Sequence, residues 1–306
     1  MHPRARRALV TAITVAFSVA SGPAALAQAP PAAPPIAPAP PPAFVPTPEQ
    51  PYARGESPYR LRLDVDLPLS VLGVAVWATT YAVITPELAG PHCDPCDPST
   101  VNGFDRWATH YYGNWAQWTA NGIVIAAVPI GVLVKVLDYG PRNWKGWMTD
   151  IGVDLETVIW SGVLNEIFRR VVRRPRPYMY VPGAFPDERT SAEATLSFYS
   201  GHTAALFALA VSASYTYSIR HPRSPLRWAV WVGLLALAST EGVLRIFGGD
   251  HFPTDVIVGA VAGAGVGLLV PALHRKKRTL PEALRKVALV PSFGEGTAGL
   301  SLVGVF

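Results

Sequence analysis

An all-α bundle of six transmembrane helices is what this sequence predicts, on three observations. Charged residues make up 15% of its 306 positions and hydrophobic ones 50%, where soluble domains carry roughly 25% charged residues. Six apolar windows lie between residues 69 and 273. Each is near the roughly 17 to 25 residues a helix needs to cross a hydrocarbon layer. Basic residues collect in the connections between alternate windows, the pattern that orients membrane helices.

Ahead of the bundle, Arg4, Arg6 and Arg7 precede an apolar run from Ala8 to Ala20 and small residues ending Ala25-Leu26-Ala27. This is the layout of a secretory signal, or an uncleaved anchor, over residues 1–27. Residues 28–58 hold 12 of the chain's 31 prolines and read as an extended linker. The folded domain is expected over 59–275 and a C-terminal tail over 276–306. In that tail, Val287 to Phe306 alternates apolar and small residues around Gly294-Glu295-Gly296, a short-hairpin pattern.

The windows run in order. Leu69 to Thr85 carries no charge, and Gln117 to Leu137 carries only Lys135. Ile151 to Phe168 holds Asp154, Glu156 and Glu166; Thr203 to Ile219 is uncharged. Trp228 to Phe247 contains Glu241 and Arg245, and Val256 to Leu273 is again uncharged. Ionisable groups inside spans are costly and usually paired, so Asp154, Glu156 and Glu241 are expected in structural or gating roles. Arg142 and Lys145 follow the second window, Arg220, Arg223 and Arg227 the fourth, and Arg275-Lys276-Lys277-Arg278 the sixth. These ends are expected in the cytoplasm, and the opposite connections in the periplasm of a bacterial-type inner membrane. A cleaved signal fits this poorly, because six crossings from an exported residue 28 put the basic loops outside.

Such a composition excludes a disordered acidic chain, a collagen-like chain and a cysteine-stapled miniprotein. It also argues against a nucleic-acid partner, since the basic residues are few and do not interleave with aromatics.

Chemistry gathers at the window ends. Arg169 to Pro177 follows the third window, Ser200-Gly201-His202 opens the fourth, and Arg245 to Asp255 joins the fifth to the sixth. With alternating crossings these segments share one membrane face. Arginine offers forked, permanent donors suited to phosphate. Ser200 and Gly201 open a helix whose free N–H groups favour an anion. Pro253 suits a first helical position, and Asp255 four residues beyond His251 can accept from one ring nitrogen, freeing the other as a nucleophile. His202 can protonate a leaving oxygen. No metal or cofactor is expected, because the arginines balance the charge of the transferring group.

Arg169-x6-Arg176-Pro177, Ser200-Gly201-His202 and Arg245-x5-His251-x3-Asp255 resemble the three-part signature of the type 2 phosphatidate phosphatase/haloperoxidase superfamily. The usual pattern is K-x6-R-P, P-S-G-H and S-R-x5-H-x3-D. The resemblance covers roughly Leu67 to Leu273 and implies a bundle of the acid phosphatase/vanadium haloperoxidase type. It implies that His251 forms a phosphohistidine, Asp255 orients it and His202 is the general acid. Arg169, Arg176, Ser200, Gly201 and Arg245 would bind the phosphate oxygens. Arg169 stands for the family's lysine, Tyr199 for its proline and Leu244 for its serine.

Beside these, Glu166 is placed for helix ion pairs with Arg169 and Arg170. Cys93 and Cys96 lie in His92-Cys93-Asp94-Pro95-Cys96-Asp97. One pair cannot complete a structural zinc site, so a small-loop disulfide is expected. The function expected is hydrolysis of a lipid phosphate or diphosphate ester, with membrane lipids as surroundings. The alternatives are a vanadate-dependent haloperoxidase-like enzyme and a non-enzymatic transporter or scaffold. Nothing in the sequence specifies the oligomeric state.

Overall fold

Each apolar window forms one long helix, and each helix begins ahead of the apolar run that announces it. The computed structural model describes residues 52, 55–84, 93–276, 287–294 and 297–304. The expected signal segment, most of the proline-rich linker and His92 lie outside the described residues.

Helix α1 (Leu63–Thr79) continues into a wider π turn at Thr80–Ile84. Asp64 and Asp66 sit in its first turn, where the helix dipole favours acids. Helix α2 (Asn114–Tyr139) ends at Gly140, whose φ is +80°. Helix α3 (Trp144–Val172) stops at Arg173 in the left-handed conformation (φ 50°, ψ 52°), with Pro175 and Pro177 beyond. A single-turn helix α4 (Pro186–Arg189) precedes α5 (Gly201–Arg220), α6 (Leu226–Phe247) and α7 (Pro253–His274).

Four of the six long helices are apolar enough to cross a membrane by length and composition: Leu63–Ala82, Asn114–Tyr139, Leu226–Phe247 and Pro253–His274. Helices α3 and α5 are as long but more polar, and their position explains it. Helix α5 packs against α3, α6 and α7, so it faces protein and carries small or hydroxyl residues such as Ala204, Ala208, Ser212, Ser214 and Thr216. The outer helices turn Leu67, Val71, Ile125, Leu137, Val232 and Val261 outward. Exposed Trp107, Tyr111, Tyr112 and Trp115 ring the start of α2, and exposed Trp144 and Trp228 mark the other end. Aromatic belts at both ends of an apolar bundle are the arrangement of a membrane protein. The chain is a multi-pass membrane protein.

Several buried charges among the described residues of the bundle are paired. Lys135 meets Asp154 at 3.0 Å, and Ser212 donates to the same carboxylate. Glu156 meets His274 Nε2 at 2.9 Å, and Glu241 meets Arg245 Nε at 2.7 Å. Asp154 and Glu156 thereby tie α3 to its neighbours, whereas Glu241 pairs within α6, four residues before Arg245.

The α5–α7 contact positions the functional end. Gly259, Gly263 and Gly267 recur every four residues along one face of α7. A Cβ at Gly259 would lie 2.7 Å from the Ser200 carbonyl oxygen, and at Gly263 and Gly267 it would press on the Ala204 and Ala208 carbonyls. Small residues let the two backbones approach this closely. Ser200 N–H also donates to the Asp255 carbonyl at 3.1 Å, so both helices start side by side.

Over that end, the connections before α2 and between α3 and α5 share a small core of Cys96, Val101, Tyr178, Met179, Ile246 and Phe252. Cys93 and Cys96 form a disulfide, as expected. At the opposite end, Arg60 N–H donates to the His274 carbonyl and Lys276 N–H to the Pro58 carbonyl. The chain therefore reaches α1 at the end where the basic loops lie. The tail forms an antiparallel hairpin of β1 (Val287–Gly294) and β2 (Thr297–Gly304), with Gly294 paired to Thr297.

Candidate active site

The Arg-x5-His spacing is a helix ending. Helix α6 closes with the Asp250 and His251 N–H groups returning to the Arg245 carbonyl, at 3.1 and 3.3 Å. The reversal uses Gly249 at φ +78°, where a Cβ would lie 2.7 Å from the Tyr111 carbonyl oxygen. Only glycine fits there without strain. His251 is thus set under Arg245, and it is 4% exposed.

His251 Nδ1 lies 2.8 Å from the Ser197 carbonyl oxygen and 3.9 Å from Asp255 Oδ2. A carbonyl only accepts, so Nδ1 carries the proton and Nε2 keeps its lone pair. The expected direct bond to Asp255 is therefore corrected to an indirect one. The reason is local: Phe252 is extended (φ −77°, ψ 157°) before α7 begins, so the four-residue spacing is not a helical turn. Asp255 is fully buried and accepts from Ser197 Oγ, from Phe252 N–H at 2.9 Å and from Arg174 Nη1 at 2.8 Å. It holds Ser197, and Ser197 holds the histidine. Burial lowers the pKa of His251 below the ordinary imidazole value, with Arg176 adding to the effect against the raising influence of Asp255.

The R-x6-R-P spacing is likewise a helix ending. Arg173 N–H returns to the Arg169 carbonyl at 3.0 Å, and the chain then runs back past residues 194–197. Arg176 N–H donates to the Ala194 carbonyl, and Ser197 N–H to the Arg174 carbonyl, both at 2.8 Å. Arg169 and Arg176 meet on one carboxylate, that of Glu193. Arg176 Nη1 also lies 3.7 Å from Asp250 Oδ1, and Arg245 Nη1 lies 3.2 Å from Asp250 Oδ2. Arg245 Nη2 donates to Asn121 on α2 at 2.7 Å. The three arginines are thus linked through Glu193 and Asp250. Glu166 pairs with Arg169 at 3.5 Å and with Arg170, as expected.

Gly201 is dictated by α3. A Cβ there would lie 2.8 Å from Asn165 Oδ1, and Asn165 Nδ2 donates to the Tyr199 carbonyl at 2.6 Å. Ser200 caps α5, but its hydroxyl faces Thr203 Oγ1 at 2.9 Å, and Thr203 passes the contact to Glu241 and so to Arg245. His202 is exposed on the first turn of α5. It lines a cleft of about 320 Å³ with Trp118, Asn121, Gly122, Val124 and Ile125. Arg245, His251, Arg176 and Arg169 all lie within its electrostatic reach.

Both departures from the signature beside the site have packing partners. Leu244 is buried against Ala116 and Ala120 of α2. Tyr199 is buried with its ring 5.9 Å from that of Phe168.

Several residues at the site carry no motif in the sequence. Arg174 bridges Asp255, Thr254 and Asp105, each at 2.8 Å, and lies over the Phe252 ring at 3.8 Å. Asp105 accepts from Thr254 N–H at 3.0 Å. Burial opposes its ionisation, yet hydrogen bonds from Thr254, Arg174 and Asn102 hold its carboxyl below the usual carboxylate range. Glu193, Ser197, Asp250, Asn121 and Asn165 were missed because they act across the fold. Arg174 sat inside the arginine run and could have been singled out as a third basic group.

Residues 155–279 match the family model of the PAP2 superfamily. Two curated relatives are named lipid A 1-phosphatase. That of Rhizobium etli is 30% identical over 122 residues, 39% of this chain and 48% of the relative. That of Rhizobium johnstonii is 31% identical over 115 residues, 37% of this chain and 43% of the relative. The chain thus spans about half the length of these relatives. Among solved structures, a PAP2-type phosphatidylglycerolphosphate phosphatase from Bacillus subtilis aligns with TM-score 0.44 and 18% identity, covering 71% of this chain and 98% of that one. Aquifex aeolicus LpxE aligns with TM-score 0.37 and 20% identity, covering 54% and 90%.

Proposed function

We propose that this chain, whose residues 155–279 belong to the PAP2 superfamily, is a membrane phosphatase that hydrolyses a lipid phosphate or diphosphate ester through His251. The observation that carries the reading is the gathering of Arg169, Arg176, Arg245 and the start of α5 around a histidine whose Nδ1 is held by a carbonyl. Arg169, Arg176 and Arg245 take the phosphate oxygens, with the N-terminal turn at Ser200 and Gly201 as a further donor surface. His251 Nε2 attacks phosphorus, a nitrogen–phosphorus bond forms, and the ester oxygen leaves with a proton from His202. Water then attacks the phosphohistidine, His202 takes back a proton, and phosphate and free His251 are released. Ser200 Oγ is engaged by Thr203, so its part is to tie the turn to Glu241 and Arg245.

A lipid substrate is supported by the cleft at His202, whose other lining is mostly apolar and belongs to α2. Acyl or prenyl tails would lie along α2 while the phosphate meets the arginines. The names of the two Rhizobium relatives add lipid A to the candidates. The basic ends near Arg142, Arg223 and Arg275 support a periplasmic position for the opposite, active end of a protein of the inner membrane.

A phosphate-release panel on detergent-purified protein tests this. It compares isoprenoid diphosphate, phosphatidate, phosphatidylglycerophosphate, lipid A and soluble monoesters, with vanadate as inhibitor. Release from at least one lipid by wild type, and none by His251→Ala, is expected. Equal release by both proteins would refute the mechanism.

A further inference from the structure

Arg169, Arg176 and Arg245 each already have a carboxylate partner, and one of those partners reaches solvent far more than the others. Arg169 faces Glu166, Arg245 faces Glu241 and Asp250, and Glu193 bridges Arg169 to Arg176. The side chains of Glu166, Glu241 and Asp250 are 3%, 0% and 8% exposed, whereas that of Glu193 is 28% exposed. Glu193 also stands in a short 3-10 turn, Ala192–Thr195, in the connection over the active end. Its backbone carbonyl accepts from Arg176 Nε at 2.9 Å, which holds the turn in place whatever the carboxylate does. The Glu193 carboxylate therefore sits where two guanidinium forks converge, the position an anionic ligand needs.

We propose that Glu193 determines specificity by competing for the two arginines, so that only a phosphate group able to carry two charges displaces it. This rests on the phosphatase reading. A phosphomonoester has its second ionisation near pH 6 and carries about −1.5 to −2 at pH 7. A phosphodiester, the headgroup linkage of ordinary phospholipids, carries one charge and no second ionisable oxygen. A site facing a bilayer is surrounded by such diesters. Against one carboxylate, a single diester charge gains no Coulombic advantage, while a monoester or terminal diphosphate does. Glu193 thus lets the site ignore its own membrane and respond to terminal phosphates. The contrary role, in which Glu193 merely aims the arginines, predicts the opposite sign for its removal.

The test uses the full chain in detergent, as wild type, Glu193→Gln and Glu193→Asp. Orthophosphate binding is measured by calorimetry. Inhibition by phosphatidylglycerol in mixed micelles is measured on hydrolysis of 4-nitrophenyl phosphate. Removing one charged competitor should tighten orthophosphate binding in Glu193→Gln by about tenfold, with the shorter Asp in between. Phosphatidylglycerol should inhibit Glu193→Gln and leave wild type unaffected. Unchanged or weaker orthophosphate binding by Glu193→Gln overturns the proposal, as does equal phosphatidylglycerol inhibition of both proteins. Absence of wild-type turnover with the calorimetric contrast intact would sink the phosphatase reading and still support the competition.

Discussion

The Ser197 carbonyl oxygen lies 2.8 Å from His251 Nδ1, closer by more than an ångström than the Asp255 carboxylate at 3.9 Å. The acid and the histidine are joined through Ser197, whose hydroxyl donates to Asp255. The tautomer of His251 is therefore set by a backbone atom that side-chain substitution cannot remove.

This arrangement predicts a graded loss. Asp255→Asn should lower kcat by about 10²-fold, less than where an acid alone orients the histidine. Ser197→Ala should cost about tenfold, typical of an outer positioning group. KM should change little in either variant. Steady-state kinetics on the preferred lipid would check the order, and a larger loss in Ser197→Ala than in Asp255→Asn would contradict it.

Removing Arg174 should be as damaging as removing Asp255, because Arg174 is its charged partner and also holds Asp105 and Thr254. Arg174→Ala leaves two buried carboxylates without their cation, a class of change that costs about 3–5 kcal/mol. Arg174→Lys keeps the charge but loses the fork and should recover only part of the stability. Thermal unfolding in detergent reads both. Equal midpoints for wild type and Arg174→Ala would disprove the bridge.

The pH dependence follows from His251, whose pKa is lowered by burial and by Arg176. Below the unfolded histidine value of about 6.5, the unfolded chain takes up a proton at this position before the folded chain does. Stability from this group is thus full above about pH 6.5 and is lost as pH falls toward the folded pKa. His251 stays neutral over the same range, so with His251 as the proposed nucleophile the acid limb of kcat/KM should lie below pH 6.5. Rates across pH 4.5 to 8 would test it, and an acid limb above about 7 would count against a buried neutral His251.

Gly263 faces α5, and a Cβ there would press on the Ala204 carbonyl. Gly263→Val should destabilise by about 1–3 kcal/mol or more, as overpacking does. It should also reduce kcat by separating the starts of α5 and α7, while Gly265→Val, where added volume meets open space, should do neither. Comparing the two variants by unfolding and by turnover separates a helix-contact effect from general loss of glycine.

Reporter fusions after Ile219 and after Leu273 test the orientation. Both should report cytoplasm, since both precede basic segments. Because Pro58 and Arg60 pair with Lys276 and His274, a fusion just before Tyr59 should agree with them.

Helices, their order and the charged ends were legible because bilayer length and 3.6-residue geometry act locally. So were His251, His202, Asp255, Arg169, Arg176, Ser200, Gly201 and Arg245, since each lies at a span end in a spaced signature. The sequence by itself determined which segments are helices, which end carries the basic loops and which charged and hydroxyl residues stand at the other end. Tertiary structure alone decided that α3 and α5 are enclosed, which is why their polar residues do not argue against a membrane. It also decided that Asp255 reaches His251 through Ser197, because an extended Phe252 breaks the helical period that the spacing suggests. Glu193, Arg174 and Asp105 belong to the site only because connections far apart in sequence fold over one end of the bundle. A carboxylate's partner there is set by packing across the chain, which no local pattern records.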